Sequence, residues 1–163
     1  TAHRAENVDS ETRLRNIVKG LHLTAQHLAI PIICSIHPRT QSRLNQFGIK
    51  VSNPLIRFHP PFGFFDFIHL QKHAGCVVTD SGTVQEESCI LGVPAVTIRK
   101  STERPETVMC GGNTISGLDP QRIAECVNLM MQTDRSWTCP EGYNDAHVSS
   151  KVVNMLLGGV GLV

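Results

Sequence analysis

Apolar residues follow two patterns along the chain. Where they recur every three or four residues they predict amphipathic helices, and short, almost wholly apolar runs predict buried strands. The first predicted helix starts near residues 9–12 and continues through residue 28. Further helices are predicted at residues 40–47, 64–74, 84–91, 120–132 and 146–157. The predicted strands cover residues 31–36, 55–58, 76–79, 94–98 and the less apolar 113–116.

Strands and helices alternate over the whole chain. This order predicts an α/β domain with a parallel sheet, right-handed crossovers and helices on both faces, which is a Rossmann-like three-layer structure. No repeat or linker interrupts the pattern, so residues 1–163 are predicted to form one domain. Ligands bind such sheets beyond the carboxyl ends of the strands. The polar or turn-rich segments expected there are 1–6 (if a strand precedes them), 37–40, 59–63, 80–83 and 99–106.

The segment TDSGTVQEE at residues 79–87 carries the strongest chemical signal. It reads as a strand, a turn of small residues and a helix, so Ser81, Gly82 and Thr83 would present N–H groups and hydroxyls at a helix N-terminus. Such a terminus suits a phosphate group, and a glycine lets the backbone approach it closely. Glu87, about one turn into the helix, could accept hydrogen bonds from both hydroxyls of a ribose.

The same segment can be explained without a ligand. Asp80 or Ser81 would then cap the helix, and the adjacent Glu86 and Glu87 would favour its dipole. The pattern alone leaves both interpretations open. It is not a Walker motif, because no GKS or GKT follows the glycine, and it does not fit the GxSxG nucleophile elbow.

Basic side chains stand in the neighbouring segments. His3 and Arg4 could neutralise a diphosphate or protonate a departing phosphate oxygen, although the pattern alone favours a solvated terminal stub. Arg104 could grip a substrate oxygen, or it could belong to a surface charge cluster with Glu103 and Glu106.

Two further segments are candidates by position. His37 and Arg39 directly follow a predicted strand. Residues 58–67 contain five of the six phenylalanines. Most of these rings are expected to pack in the core, but one or two could form a slot for a flat base such as uracil.

The composition excludes several classes. A net charge of +1 provides no broad cationic face for nucleic acid, and no apolar run approaches the roughly 20 residues of a membrane span. The six cysteines form no CxxC pair and no metal-type cluster with histidine, so we expect free thiols, a cytoplasmic location and neither a metal nor a cofactor. The chain opens on Thr1 as if in mid-sequence, so we expect a piece of a longer protein.

Three motifs together resemble the non-hydrolysing UDP-N-acetylglucosamine 2-epimerase family. Its members carry THRxEN, TDSGxxQEE and TERPE in that order. In this chain the first motif is TAHRAEN at residues 1–7, with one inserted Ala. The second is TDSGTVQEE at residues 79–87, and the third is TERPE at residues 102–106. The resemblance spans the chain. It implies the C-terminal half of a two-domain fold of the glycosyltransferase-B type, whose active site lies between the halves.

The resemblance also implies roles for individual residues. His3 would be catalytic, beside the diphosphate and the departing phosphate oxygen. The residues implied in UDP binding are Phe62, Phe67, Ser81, Gly82, Thr83, Glu87 and Arg104. Phe62 departs from the polar residue expected there, so its contact with uracil would come from its backbone. Thr83 replaces a glycine common in the family.

The implied reaction is an elimination and re-addition. A base removes the proton at sugar C2, UDP leaves C1, and UDP re-adds after protonation of the opposite face. The carboxylates that move the proton belong to the N-terminal half in this family, so we predict that this chain alone binds UDP weakly and does not epimerise. We expect a homodimer for the full-length protein.

The resemblance indicates the sugar of the substrate less clearly than it indicates the reaction. HPRT at 37–40, together with SGTVQEE and STERPET, is similar to the branch that makes UDP-N-acetyl-L-fucosamine from a 6-deoxy UDP-sugar. Conversion of UDP-GlcNAc to UDP-ManNAc is the alternative, in either case for surface polysaccharide precursors. A glycosyltransferase of the B type and a hydrolysing epimerase are the alternative activities.

Overall fold

The computed structural model describes residues 1–158, which form eight helices and five strands. The helices are α1 (Ala5–Val8), α2 (Glu11–Leu28), α3 (Pro38–Gln46), α4 (Phe64–Lys72), α5 (Gly82–Ile90), α6 (Pro105–Met109), α7 (Pro120–Gln132) and α8 (Val148–Gly158). The strands are β1 (Ile32–Ser35), β2 (Ile56–His59), β3 (Val77–Thr79), β4 (Ala95–Thr97) and β5 (Asn113–Ile115). Every predicted strand and helix is present, with ends shifted by a few residues at most.

All strand pairs are parallel, which confirms the predicted Rossmann-like α/β class. The strands of the described residues nevertheless lie in two sheets, β1–β2 and β3–β4–β5, rather than in one. The expected continuous sheet is therefore interrupted between β1 and β3.

Strand β4 lies at the centre of the larger sheet and is completely buried. Val96 packs on one face against Cys126, Val127 and Met130 of α7. A strand covered on both faces needs apolar residues at successive positions, which is why this run reads as continuously hydrophobic.

Helices α2 and α7 cross closely at Gly20. A Cβ atom at this position would lie 2.9 Å from Cδ1 of Ile123, so a larger residue would push the helices apart. Glycine inside a helix costs about 1 kcal/mol relative to alanine. The close packing of the two helices offsets this cost and explains a glycine in the middle of an 18-residue helix.

Helices α1 and α6 were not predicted. They take up part of the segments 1–6 and 99–106, which the sequence suggested to be polar loops. Four and five residues are too few to show a helical period. Pro105, which begins α6, is the residue type that suits a first helical position.

All six cysteines are free, with 3.6 Å between the sulfurs of Cys89 and Cys110. Within residues 1–158 no helix is long and apolar enough to cross a bilayer. The same residues contain no group of three or more His, Cys, Asp or Glu side chains arranged to hold a metal ion.

Candidate functional site

Asp80 is a fully buried carboxylate just beyond the end of β3. Its oxygens accept hydrogen bonds from the backbone N–H groups of His3 (3.1 and 3.2 Å) and Arg4 (3.0 Å), and from Nδ2 of Asn7 (3.0 Å). Because a buried carboxylate is stable only when donors surround it, these bonds tie the first turn of the chain to the end of the sheet. Asp80 thereby sets the positions of His3 and Arg4.

The N-terminus of α5 has no side-chain cap. Ser81 is the N-cap residue, but neither its hydroxyl nor the carboxylate of Asp80 accepts a hydrogen bond from the first turn. The interpretation of this segment as a merely capped helix is therefore wrong. The first N–H groups of α5, at the positive end of the helix dipole, are available to an anion.

A cavity of about 520 Å³ lies between this helix end and the first residues of the chain. The residues that line it are His3, Arg4, Ala5, Ser81, Gly82, Thr83, Glu103 and Arg104. Six of them were candidates from the sequence, namely His3, Arg4, Ser81, Gly82, Thr83 and Arg104. The fold brings these six together from three separate segments. Two guanidinium groups, an imidazole and free helix N–H groups suit a phosphate-type anion.

Arg104 lies directly over Gly82. A Cβ atom at Gly82 would lie 3.8 Å from Cζ of Arg104, an ordinary van der Waals contact, which shows how near the guanidinium lies to this turn. Arg104 Nε donates to the carboxylate of Glu86, and Nη1 donates to the Glu103 carbonyl at 2.9 Å. The hydrogen bond to Glu86 raises the pKa of Arg104, so the side chain stays charged.

The charge cluster of Arg104 with Glu103 and Glu106 was one of two alternatives that the sequence left open, but the carboxylate that accepts a hydrogen bond from Arg104 is that of Glu86. Glu103 instead receives two hydrogen bonds from the buried Arg99, at 2.6 and 2.8 Å, and Glu106 receives one from the hydroxyl of Tyr143 at 2.6 Å. The hydrogen bonds from Arg99 lower the pKa of Glu103 to about 2. Sequence reasoning missed Arg99, although its place directly after an apolar strand could have suggested it.

Gln85 is a buried link between the two loops of the cavity. Its Nε2 donates to the Ser81 carbonyl at 3.1 Å, and its Oε1 accepts from Thr102 Oγ1 at 2.6 Å and Asn113 Nδ2 at 3.2 Å. Through Thr102, whose hydroxyl also accepts the N–H of Arg104 at 3.0 Å, it connects the start of α5 to the Arg104 loop. Gln85 is a fixed position of the TDSGxxQEE motif, but the sequence alone assigned no role to it.

The adjacent carboxylates Glu86 and Glu87 have different neighbours. Glu86 pairs with Arg104, whereas Glu87 accepts a hydrogen bond from the buried Gln71 of α4 at 2.8 Å. Glu87 does not line the 520 Å³ cavity but faces the helix that also carries Phe67. Its carboxylate is thus oriented by a buried amide, and its assignment to a ribose stays a prediction.

The phenylalanine candidates stand apart from the cavity. Phe67 packs against the core residues Val77, Val84 and Val93. Phe62 is half-buried, with 3.5 Å between its backbone nitrogen and Oγ of Ser35. Both rings line a different, apolar cavity between the sheets. Their contact with a base stays a prediction.

His37 and Arg39 also lie outside the lining of the 520 Å³ cavity. Nδ1 of His37 accepts the N–H of Arg39 at 3.1 Å and so caps α3, while its ring lies 6.1 Å from that of His3. The guanidinium of Arg39 is paired with Asp9. The structure therefore offers local roles for both residues.

A parallel α/β sheet whose anion-type cavity lies beyond the strand ends, at a free helix N-terminus, defines a Rossmann-type domain suited to a phosphorylated ligand. The particular family follows from comparison with known proteins. The profile of the family described as UDP-N-acetylglucosamine 2-epimerase matches residues 1–157. The chain belongs to this family, as its motifs predicted.

Individual relatives support the same family membership. The UDP-N-acetylglucosamine 2-epimerase of Methanocaldococcus jannaschii is 42% identical over 162 residues, which are 98% of this chain and 44% of that protein. The crystal structure of this enzyme in complex with UDP-GlcNAc and UDP has a TM-score of 0.91 and 41% identity, covering 97% of this chain and 44% of that one. A UDP-2,3-diacetamido-2,3-dideoxy-D-glucuronate 2-epimerase of Pseudomonas aeruginosa is 39% identical over 77% of this chain and 34% of its own length. The chain thus spans less than half the length of these relatives.

Proposed function

We propose that this chain is the C-terminal, UDP-binding half of a two-domain UDP-sugar 2-epimerase. The observation that carries the proposal is the 520 Å³ cavity in which the free end of α5 faces His3, Arg4 and Arg104. The relative of known structure that binds UDP-GlcNAc and UDP supports it, because 97% of this chain aligns with it at 41% identity.

The diphosphate would lie against the first turn of α5. Ser81, Gly82 and Thr83 would donate backbone and hydroxyl hydrogen bonds to its oxygens, and Arg104 would neutralise its charge. Glu86 keeps the guanidinium of Arg104 beside Gly82, so little reorganisation is needed when the anion binds.

The nucleoside would extend toward α4. Glu87, held by Gln71, would accept the ribose hydroxyls, and Phe62 and Phe67 would bracket the uracil. This assignment rests on the family resemblance and on the position of Glu87 between α5 and α4. It predicts that uridine contributes less to binding than the diphosphate does.

His3 would act at the bond that breaks. Its Nδ1 lies 3.5 Å from Oδ1 of Asp80, which orients the ring and leaves Nε2 for the substrate. When a base removes the C2 proton, the bond between C1 and the phosphate oxygen breaks, and UDP leaves with the electron pair. His3 and the cations of the cavity would stabilise the charge on the departing oxygen, and the C2 proton would be moved by carboxylates of the other half.

The substrate we propose is a UDP-2-acetamido sugar used for surface polysaccharide precursors. The Pseudomonas aeruginosa relative carries the name of a different UDP-sugar epimerase, so family membership leaves the sugar open. Incubating the full-length enzyme with UDP-GlcNAc or its 6-deoxy analogue, and following the anomeric and C2 protons by NMR, distinguishes the two. Released free sugar would instead indicate a hydrolysing epimerase, and dependence on an acceptor sugar would indicate a glycosyltransferase.

Calorimetric titration of the 163-residue chain tests the binding site directly. UDP should bind weakly, uridine should bind more weakly still, and Arg104→Ala should lower the affinity for UDP about tenfold, as expected for one charge-assisted hydrogen bond. Arg122→Ala, which changes an exposed arginine of α7, is the matched control and should bind UDP normally. Equal affinities for UDP and uridine, or an unchanged Arg104→Ala variant, would contradict the proposed site.

Two further properties are proposed, one for the full-length protein and one for the isolated chain. It should be a cytoplasmic homodimer, and light scattering after gel filtration measures its mass. The isolated chain should show no epimerase activity, and measurable turnover by this chain would show that the proton-moving groups lie within it.

A further inference from the structure

Two cysteines from separate segments meet where α5 and α6 end. Cys89 lies in the last turn of α5, and Cys110 directly follows the last residue of α6. Their sulfurs are 3.6 Å apart, although 21 positions separate the two residues along the chain. We name Cys89 and Cys110 the thiol pair.

The two thiols differ in their access to solvent. Cys89 is only 3% exposed, and burial, followed by the neighbouring thiols of Cys110 and Cys139, raises its pKa to about 12. Cys110 is half-buried and follows Met109, whose side chain is 85% exposed. A reagent in solution therefore reaches Cys110 first, because a thiol buried in apolar surroundings is inert.

The thiol pair lies between the two helices that begin at the candidate site. Gly82 begins α5, and Arg104 directly precedes α6. At this end, the hydrogen bond from Arg104 to Glu86 connects the helices. At the opposite end the sulfurs meet, and Sγ of Cys110 also donates to the Thr107 carbonyl at 3.3 Å.

Buried hydrogen bonds hold the two helices in this arrangement. Nδ2 of Asn113 donates to Gln85 of α5 at 3.2 Å and to Thr107 of α6 at 3.0 Å, and all three side chains are buried. Nε1 of Trp137 donates to the Cys89 carbonyl at 3.2 Å. Because a fully satisfied buried network is rigid, the sulfurs stay in contact, and a covalent bond of about 2 Å requires only a small shift.

We propose that the thiol pair is a site of reversible oxidation, where a low-molecular-weight disulfide converts Cys89 and Cys110 into a disulfide bond that joins α5 to α6. The thiolate of Cys110 attacks one sulfur of the reagent, forms a mixed disulfide and releases one reagent thiolate. The thiolate of Cys89 then attacks the Cys110 sulfur and releases the second. Two protein thiols are oxidised, the reagent is reduced to two thiols, and the two protein protons pass to the released thiolates.

This bond should stabilise the fold without disturbing the anion cavity. It closes a loop between positions 21 apart and so removes conformations from the unfolded chain. The sulfurs lie at the ends of α5 and α6 that are remote from Ser81 and Arg104. UDP binding should therefore be the same in both forms, and the proposal goes beyond the proposed function without depending on it.

Peptide mapping of the full-length protein tests the bond itself. The protein is incubated with glutathione disulfide, the remaining thiols are blocked with iodoacetamide, and the chain is cut with trypsin. Cys89 then lies in peptide 73–99 and Cys110 in peptide 101–122, because trypsin does not cut between an arginine and a proline. Mass spectrometry should find these two peptides linked, and dithiothreitol should separate them.

A second digestion assigns the bond to one cysteine. Peptide 73–99 also contains Cys76, and cleavage before Asp80 separates this residue from Cys89. The fragment that starts at Asp80 should stay linked to peptide 101–122.

Thermal denaturation tests the consequence. Oxidation should raise the thermal midpoint of the full-length protein by at least about 4 °C, as expected for a closed loop of this length. Cys110→Ser should abolish both the linked peptides and this rise. Cys139→Ser changes the other thiol next to Cys89 and is the matched control, which should keep both. Peptide mapping of the unchanged protein needs no variant, so a variant that fails to fold does not prevent the test.

Each other outcome overturns the proposal. A glutathione adduct without linked peptides would show that Cys89 does not complete the reaction. A bond between Cys89 and Cys139, or a disulfide that leaves the thermal midpoint unchanged, would show that oxidation does not join α5 to α6 in the native arrangement.

Calorimetry separates this proposal from the proposed function. The reduced and the oxidised protein should bind UDP with affinities that agree within about twofold. A loss of UDP binding in the oxidised form alone would overturn the proposal, because the bond would then distort the candidate site. A lack of binding in both forms would contradict the proposed function and leave the thiol pair unaffected.

Discussion

The two sides of the candidate site are built differently. Around Asp80 and Gln85 the polar side chains are buried, and each is held by several hydrogen bonds to separate segments of the chain. Around the start of α4, Phe64 and Phe65 are 68% and 85% exposed. The side proposed to bind the anion is therefore already ordered by these hydrogen bonds. The start of α4, next to the rings proposed to bracket the base, presents apolar surface that is open to solvent.

The difference follows from the cost of burying each kind of group. A carboxylate such as Asp80 can be buried only with its full set of donors, so its environment has one arrangement. Exposed rings need no defined partner and tolerate several arrangements. We therefore expect substitutions around Asp80 and Gln85 to lower the stability of the fold, and substitutions of the exposed rings Phe64 and Phe65 to leave it nearly unchanged.

The largest effect should come from Asp80→Ala. Removing this carboxylate leaves the N–H groups of His3 and Arg4 and the amide of Asn7 without their acceptor, so the free energy of unfolding should fall by about 3–5 kcal/mol. Urea denaturation followed by circular dichroism measures it. The control is Asp66→Ala, an exposed carboxylate at the start of α4, which should change stability by less than about 0.5 kcal/mol. Similar losses of unfolding free energy in both variants would contradict the difference between the Asp80 side and the α4 side of the site.

A smaller effect on stability should distinguish the half-buried Phe67 from the exposed Phe65. Phe67→Ala removes a half-buried ring from the cluster with Val77 and Val84 and should cost about 1–2 kcal/mol of stability, in proportion to the buried apolar area. Phe65→Ala, at an 85% exposed position of the same helix, should cost less than about 0.5 kcal/mol. If the Phe65 variant is the less stable of the two, the exposed ring of Phe65 contributes to the stability of the fold, and the comparison is wrong.

The smallest effect is a dependence on pH near the Arg104 loop. Arg99 lowers the pKa of Glu103 from its ordinary 4.5 to about 2, so the charged form is favoured in the folded state. The stability from this pair should be fully present above pH 4.5 and should be lost as the pH falls toward 2. Glu103→Gln should flatten this part of the acid denaturation curve. An unchanged curve would show that the pair contributes nothing measurable, as is common for exposed ion pairs.

Much of the fold was predictable because its signals are local. The run at 94–98 is apolar at almost every position, which a strand buried on both faces requires, and it forms β4. Helix α7 matches the predicted residues 120–132 because Asp119 caps it and Pro120 begins it. The short α1 and α6 were missed because four and five residues are too few to show a helical period. The start of α1 is in addition held by the hydrogen bonds that Asp80 accepts from His3 and Arg4.

The candidate site also combines residues marked by local motifs with residues whose roles depend on distant contacts. The motif at residues 79–87 and the rule that ligands bind beyond strand ends left alternatives open, and the family resemblance then selected Ser81, Gly82, Thr83 and Arg104, which line one cavity. The roles of Asp80 and Gln85 were not predictable. Each depends on which donors and acceptors the fold brings within 3.2 Å of a buried side chain, and these come from residues up to 77 positions away.

The sequence by itself determined the order of strands and helices, the α/β class and the motifs that mark the family, because periodicity and turn chemistry act over a few neighbouring residues. Only the tertiary structure decided that Glu86 holds Arg104 while Glu87 faces Gln71, and that Asp80 anchors the first residues of the chain instead of capping α5. It also decided that the strands form two sheets bordering an apolar cavity. These features arise from contacts between segments that are distant along the chain, and the pattern of one sequence does not encode such distances directly.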